Sequence, residues 1–97
     1  MYDIQLVSKR VEREIRKFDR KEQENVEFVL KILGNNPRPA DLQFGSVNRN
    51  SDVKRIKSKR LRVFYKIDEF KKTVFIGKID NRDSKSYSVD PSHWFSA

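Results

Sequence analysis

Residues 61–79 read LRVFYKIDEFKKTVFIGKI and contain two strand patterns separated by a charged turn. In the first pattern every second residue is apolar, so that one set of side chains shares a face: Leu61, Val63, Tyr65 and Ile67. Arg62, Phe64 and Lys66 alternate with them and point to the opposite face. Residues 73–79 are rich in Val, Ile and Phe, which favours a second strand. The stretch therefore predicts two strands of a β-sheet, one of which presents cations on one face.

The N-terminal part of the chain begins with a short strand and a first helix. Apolar and polar residues alternate over residues 2–6, the pattern of a strand. Ser8 is a suitable N-cap for a helix whose apolar residues recur at helical spacing: Val11, Ile15 and Phe18. A short helix beside a short strand is the expected result.

A second helix follows the pair Asp19 and Glu22, whose spacing of three residues is that of a capping box. Its apolar stripe consists of Val26, Val29, Leu30 and Leu33. Gly34, with Asn-Asn-Pro directly after it, is expected to end the helix. The acidic side chains of both helices are expected on solvated faces: Glu12, Glu14, Glu22, Glu24 and Glu27.

The complete pattern predicts an α+β domain with the order β-α-α-β-β-β. Residues 35–52 are expected to form a loop, in which Leu42 and Phe44 contribute a short extended piece, and 53–57 a strand. We predict a helical hairpin packed on one face of a curved, mainly antiparallel sheet, with the other face left open. The domain is expected to span 1–87.

Residues 88–97 are expected to form a C-terminal tail. The tail ends in Pro-Ser-His-Trp-Phe-Ser-Ala. Two alternatives are open for Trp94 and Phe95: they fold back onto the domain or they contact another chain, since exposed aromatic side chains rarely persist without a partner surface.

Composition narrows the possible chemistry. The 97 residues contain no Cys and one His, His93, so thiolate zinc sites, cysteine nucleophiles and histidine metal clusters are not expected. No apolar run has the length of a membrane span, and the N-terminus has no signal-peptide pattern. We therefore predict a cytoplasmic protein that acts without metal or cofactor.

The charge is large, positive and concentrated. The formal net charge is +8, and residues 54–62 hold six basic side chains and no acidic one. A solvated surface is the ordinary explanation for one basic run. A cluster of like charges destabilises the compact state, however, so this concentration indicates a polyanionic partner.

Side-chain alternation predicts where these cations meet. Arg55 and Lys57 lie on one face of their strand, and Arg62 lies on the face opposite Leu61. If a hairpin pairs the two strands, the three cations converge, and two residues beyond the last strand are within reach: Arg82 and Tyr87. Such a group can hold a phosphate.

Several cations and a phenol are sufficient for cleavage of RNA without metal. RNA supplies its own nucleophile, the 2′-hydroxyl, which attacks the adjacent phosphate. The protein must accept the hydroxyl proton, stabilise the charge on phosphorus and assist the 5′-oxygen. A lysine among other cations can be the base, because its neighbours disfavour the charged form. Arginines suit the electrostatic task, and a tyrosine can stack on a base.

The segments Arg55-Ile56-Lys57, 61–68 and 73–79, followed by Asn81-Arg82-Asp83 and Tyr87, resemble the RelE/ParE toxin superfamily. Order and spacing carry the resemblance, which covers residues 2–87. It implies a RelE-like toxin of a toxin–antitoxin pair that cleaves mRNA in the ribosomal A site and is neutralised by a cognate antitoxin. The implied partners are therefore the antitoxin, the ribosome and mRNA.

The resemblance also implies roles for individual residues. Arg62 would stabilise the transition-state phosphate, Arg82 would stabilise charge or assist the leaving group, and Tyr87 would orient or stack on the substrate. Lys57 is the candidate base, although Lys54 and Arg55 compete for the roles on the same strand. We expect the remaining basic side chains of this region to hold RNA: Lys54, Arg55, Lys59 and Arg60.

Two other functions are compatible with the same sequence. A ParE-like protein would share the fold but inhibit DNA gyrase by binding it. A non-catalytic basic module would bind nucleic acid through charge alone, with strong salt dependence and no cleavage. The set of cations together with Tyr87 favours the nuclease, because gyrase inhibition needs no such arrangement.

Overall fold

The computed structural model describes residues 1–47, 50–80 and 91–95. Two α-helices pack on one face of a five-stranded sheet. The elements are β1 (Asp3–Leu6), α1 (Lys9–Arg16), α2 (Arg20–Asn35), a 3-10 turn (Ala40–Leu42), β2 (Gly45–Val47), β3 (Asn50–Ser58), β4 (Leu61–Asp68), β5 (Thr73–Asp80) and a C-terminal 3-10 turn (Pro91–Phe95). No helix in these described ranges is long and apolar enough to cross a membrane.

The predicted α+β architecture and the mainly antiparallel sheet are confirmed. The strand order is β1-β5-β4-β3-β2. β1 pairs with β5 in parallel, and every other neighbouring pair is antiparallel. The strand β2 was not predicted, because three residues within a loop that contains Pro and Gly are too short to show a period.

Helix α2 begins as the sequence predicts and ends later. The Asp19 carboxylate accepts the Glu22 N–H at 2.8 Å, and the Glu22 carboxylate accepts the Asp19 N–H at 2.9 Å. The predicted stop at Gly34 is wrong, since the helix continues to Asn35. Gly34 is buried inside the last turn, where a Cβ atom would lie 3.3 Å from the backbone oxygen of Tyr2. The role of Gly34 is therefore to permit the close approach of β1, not to end the helix.

Helix α1 starts after Ser8, as predicted, but the Ser8 side chain makes no capping hydrogen bond.

The sheet residues predicted to face the helices do so: Leu61, Val63 and Tyr65 are buried in one cluster with Val11, Val26, Val29, Leu33, Ile56, Val74, Ile76 and Ile79. The Tyr65 hydroxyl donates to the Pro37 carbonyl oxygen at 2.7 Å, and burial raises the pKa of this phenol. That bond holds the loop after α2 against the sheet.

A bulge in β5 changes the alternation of its side chains. Phe64 pairs with Lys78 and Tyr65 with Ile76, which leaves Gly77 as an extra residue. Ile76 and Ile79 are three residues apart, yet both are buried under the helices. The bulge thus allows both ends of β5 to contribute to the core.

The face of the sheet opposite the helices, called the open face below, is partly covered. Trp94 is 7% exposed and packs on Phe64 with ring centroids 4.7 Å apart, beside the buried Val53. Phe95 lies over Gly77, where a Cβ atom would be 2.5 Å from its ring. The prediction of a wholly open face is therefore wrong, and of the two alternatives for Trp94 the structure has the fold-back onto the domain.

The packing of Trp94 predicts that the C-terminal turn contributes to stability. Replacing Trp94 by Ala removes a nearly buried indole and should lower the free energy of unfolding by about 3 kcal/mol. Urea denaturation followed by circular dichroism measures this difference. Phe70→Ala is the matched control, because Phe70 is fully exposed and its loss should change the free energy by less than about 0.5 kcal/mol. Equal values for the two variants would contradict the packing.

Candidate RNA-binding and catalytic site

Three of the predicted cations meet on the open face. Lys57 of β3 is the cross-strand partner of Arg62 on β4, and Arg62 is the partner of Asp80 on β5. Directly opposed residues have Cβ atoms about 5 Å apart, so the three side chains form one row across the sheet. Lys57, Arg62 and Asp80 are all half-buried. The strand pairing thus places an ammonium and a guanidinium group side by side, next to one carboxylate.

Arg55 adds a third cation to this row. It pairs with Phe64 on β4 and with Gly45 on β2. A Cβ atom on Gly45 would lie 3.3 Å from Nη2 of Arg55, so the guanidinium lies over the glycine. The Nε atom of Arg55 is buried and has no hydrogen-bond partner among the described residues. The guanidinium therefore lies against β2, at the border of the row.

The other predicted basic residues lie elsewhere. Lys54 has the opposite alternation from Arg55 and Lys57, and its ammonium donates to the Ser46 hydroxyl at 3.1 Å. Lys59 and Arg60 form the exposed turn between β3 and β4. Lys54 is therefore not brought together with the row on the open face. Arg82 and Tyr87 lie outside the described residues.

A fourth cation of the open face is bound by a helix. Lys78 is opposite Phe64, but its ammonium lies 2.7 Å from the Glu14 carboxylate of α1. Arg10 contacts the same carboxylate at 3.0 Å. Only 17% of the Glu14 side chain is exposed, so the prediction of a solvated face is wrong for this residue.

Glu14 and Arg10 also serve as hydrogen-bond partners for β5 beyond the end of β1. Glu14 accepts the Ile79 N–H at 3.2 Å, and Arg10 donates to the Gly77 carbonyl oxygen at 2.7 Å and to the Trp94 carbonyl oxygen at 3.0 Å. Sequence reasoning missed these two residues. Their spacing of four residues on α1 indicates a surface ion pair, and only the strand geometry shows what they bind.

The arrangement has the chemistry for binding a phosphodiester. Arginine donates two parallel hydrogen bonds to phosphate oxygens, and lysine adds a point charge beside them. The C-terminal turn places Trp94 on Phe64, so this aromatic pair lies on the same face of the sheet as the row. Within 1–47, 50–80 and 91–95, no group of three or more acidic or histidine side chains is placed to hold a metal ion.

Comparison with solved structures identifies the fold. The chain matches the isolated E. coli RelE toxin with a TM-score of 0.70 and 22% identity over 91% of this chain and 93% of that one. It matches the RelE–RelB complex of Pyrococcus horikoshii OT3 with a TM-score of 0.74 and 18% identity, over 87% of this chain and 98% of that one. The match to the RelBE2 toxin–antitoxin complex of Mycobacterium tuberculosis has a TM-score of 0.71 and 22% identity, over 86% of this chain and 93% of that one. No protein-family model and no curated protein sequence matches the chain.

The chain has the fold of the RelE toxins, and the resemblance predicted from the sequence is confirmed at the level of fold. The relatives in these comparisons are toxins, alone or bound to antitoxins. At 18–23% identity the fold does not carry over their activity residue by residue.

The contacts of Glu14 predict that α1 stabilises the end of β5. Glu14→Gln would leave the Lys78 ammonium without its carboxylate in a site where 22% of that side chain is exposed. We expect a loss of about 2 kcal/mol in the free energy of unfolding, measured by urea denaturation. Glu24→Gln is the control, since Glu24 is exposed and lies 3.9 Å from Arg20, a pair worth less than about 0.5 kcal/mol. Similar losses in both variants would show that Glu14 is an ordinary surface carboxylate.

Proposed function

We propose that this chain is a RelE-like toxin ribonuclease that cleaves mRNA in the ribosomal A site. The observation that carries the proposal is the row of cations across β3 and β4, in which Lys57 pairs directly with Arg62 and Arg55 lies beside them. A structural ion pair would place acidic side chains around these groups in equal number. Among the described residues the row contains one carboxylate, Asp80, so positive charge is in excess in this part of the chain and suits a phosphate.

In the proposed reaction, the 2′-oxygen of a ribose forms a bond to the adjacent phosphorus, and the bond from phosphorus to the 5′-oxygen breaks. Lys57 is the candidate for the base that takes the proton from the 2′-hydroxyl. Arg62, one strand away, would bind the equatorial phosphate oxygens and stabilise their charge. Arg55 would hold the neighbouring backbone. The products are a 2′,3′-cyclic phosphate and a 5′-hydroxyl, which forms when the departing 5′-oxygen takes up one proton.

Two further roles stay predictions of the sequence. Arg82 would assist the departing 5′-oxygen, and Tyr87 would stack on the substrate or orient it. Both residues follow β5 by a few positions, and β5 is the strand that carries Asp80 into the row.

We also propose an antitoxin partner. The solved RelE relatives include complexes with RelB antitoxins. A protein of net charge +8 that carries Arg55, Lys57 and Arg62 on its open face would be neutralised by an acidic segment laid across that face. Such a segment would exclude mRNA, because it would compete for the same cations.

Induced expression of the wild type and Arg62→Ala tests the proposal. The wild type should arrest growth and produce new mRNA ends inside translated codons, mapped by primer extension. Loss of the Arg62 guanidinium should reduce cleavage at least about 100-fold. Arg62→Lys should retain part of the activity, since lysine keeps the charge but not the paired hydrogen bonds.

Lys71→Ala is the matched control. It removes the same charge from an exposed position in the β4–β5 turn, at the other end of the sheet, and should leave cleavage unchanged. Growth arrest without mRNA cuts would favour a ParE-like inhibitor of gyrase. Salt-sensitive RNA binding without arrest or cuts would indicate a non-catalytic module.

A further inference from the structure

A pocket lies at the tip of the β3–β4 hairpin, on the helix side of the sheet. Its volume is about 230 Å³, its lining is mostly apolar, and its residues are Lys21, Glu22, Asn25, Lys59, Arg60 and Leu61. Three cations therefore surround it against one carboxylate, Glu22. That carboxylate is already used in the capping box of α2, where it accepts the Asp19 N–H at 2.9 Å. An apolar wall with cations at the rim fits a ligand that is flat and apolar at one end and anionic at the other.

The backbone of Lys59 is held in an unfavourable conformation. Ser58 pairs with Leu61, so Lys59 and Arg60 form a two-residue turn, and Lys59 has φ of 59°. A positive φ at the first turn residue matches the type II′ pattern, which normally has glycine there. The Lys59 side chain is exposed and makes no hydrogen bond or ion pair within the described part of the chain. Packing therefore does not explain why this position carries a lysine rather than a glycine.

The turn is tied to helix α2. The Asn25 amide nitrogen donates to the Ser58 carbonyl oxygen at 3.2 Å, and the Ser58 hydroxyl donates to the Asn25 amide oxygen at 3.3 Å. These bonds fix the hairpin tip relative to Lys21 on the first turn of the helix. The cations that surround the pocket are thus anchored at their backbones, while their side chains stay exposed.

The tip is close to the proposed cleavage site. Lys59 follows Lys57 by two residues, which is about 7 Å along a strand. A single-stranded RNA bound to Lys57 and Arg62 on the open face would need to cross only the hairpin tip to reach the pocket. Lys59 and Arg60 lie at that crossing and are exposed.

We propose that this pocket binds a nucleotide of the same RNA strand, next to the cleaved phosphodiester. Its base would lie against the apolar part of the lining, for which the hydrocarbon stems of the long side chains are available, since Leu61 is only 3% exposed. Its phosphate would be held by Lys21, Lys59 and Arg60. The inference rests on the proposed function, because it takes the ligand to be RNA. It adds a second RNA contact beside the cleavage site, and this contact would determine which nucleotides flank the cut.

The experiment measures binding of a nine-nucleotide 2′-O-methyl RNA, which has no 2′-hydroxyl nucleophile and is not cleaved. Lys59→Gly removes the side chain while giving the turn the residue that its φ favours, so the thermal midpoint should be unchanged or raised. Fluorescence anisotropy should show about three- to tenfold weaker binding. The slope of log K against log salt should fall by about 0.7, the value for one lost phosphate contact on a single strand.

Lys72→Gly is the matched control. Lys72 is exposed, lies in the β4–β5 turn and also has positive φ, 49°. The change removes the same charge from a second turn position with positive φ, far from the hairpin tip, together with the exposed 3.8 Å ion pair to Glu69. It should weaken RNA binding less than twofold. Equal losses for Lys59→Gly and Lys72→Gly would overturn the pocket, because charge alone would then explain the effect.

A second probe distinguishes a nucleotide site from a general anion site. Poly-L-glutamate with the same number of charges has no base to place against the apolar wall. We expect Lys59→Gly to weaken RNA binding more than poly-L-glutamate binding; an equal or larger loss for the peptide would assign the pocket to an acidic protein segment instead. A wild type that binds no free RNA, or tight wild-type binding that Lys59→Gly leaves unchanged, overturns the pocket, whereas the proposed function fails only if induced expression produces no new mRNA ends.

Discussion

Strand β5 has a strand partner on its outer edge only as far as Ile76, where β1 ends. From Gly77 onward its backbone groups are met by side chains of α1, with Arg10 on the Gly77 carbonyl oxygen and Glu14 on the Ile79 N–H. The change of partner coincides with the bulge at Gly77. An unpaired buried backbone group costs about 1–3 kcal/mol, so the fold needs this substitution of side chains for a strand. Much of the remaining structure depends on it.

The bulge has consequences on both faces of the sheet. On the helix side, it allows Ile76 and Ile79 to enter the same core. On the open face, the missing side chain of Gly77 leaves room for the Phe95 ring, and Arg10 binds the Trp94 carbonyl oxygen. The bulge at Gly77 thus determines how β5 ends, where the C-terminal turn packs and where helix α1 lies.

The same geometry separates two kinds of cation on the open face. Lys78 is paired with Glu14 and partly buried, so its charge is used in the fold. Arg55, Lys57 and Arg62 share the row with one carboxylate among the described residues, and their mutual repulsion works against the compact state. The buried Phe64, Val53 and Trp94 next to them supply apolar packing that opposes this repulsion.

Much of the fold could be predicted from the sequence because its signals are local. The capping box of Asp19 and Glu22 determined where α2 begins, and alternation over residues 61–67 determined which side chains of β4 enter the core. Alternation also predicted that Lys57 and Arg62 share a face. The two wrong predictions also have local reasons. A glycine near the end of a helix can end the helix or, as Gly34 does, permit close approach of another strand. Strand β2 has three residues, too few to show an alternating pattern.

What only the tertiary structure decided involves contacts between distant parts of the chain. Glu14 binds Lys78, 64 residues away, and Arg10 binds Trp94, 84 residues away. Which residue of β3 lies directly opposite Arg62 was likewise decided by strand pairing, which puts Lys57 there and Lys54 opposite Tyr65. The sequence by itself determined the elements, their amphipathic faces and the excess of positive charge, because these follow from nearest neighbours along the chain. The strand register, the position of the bulge and the fold-back of Trp94 depend on contacts between residues that are distant in the chain. The pattern of neighbouring residues does not determine those contacts.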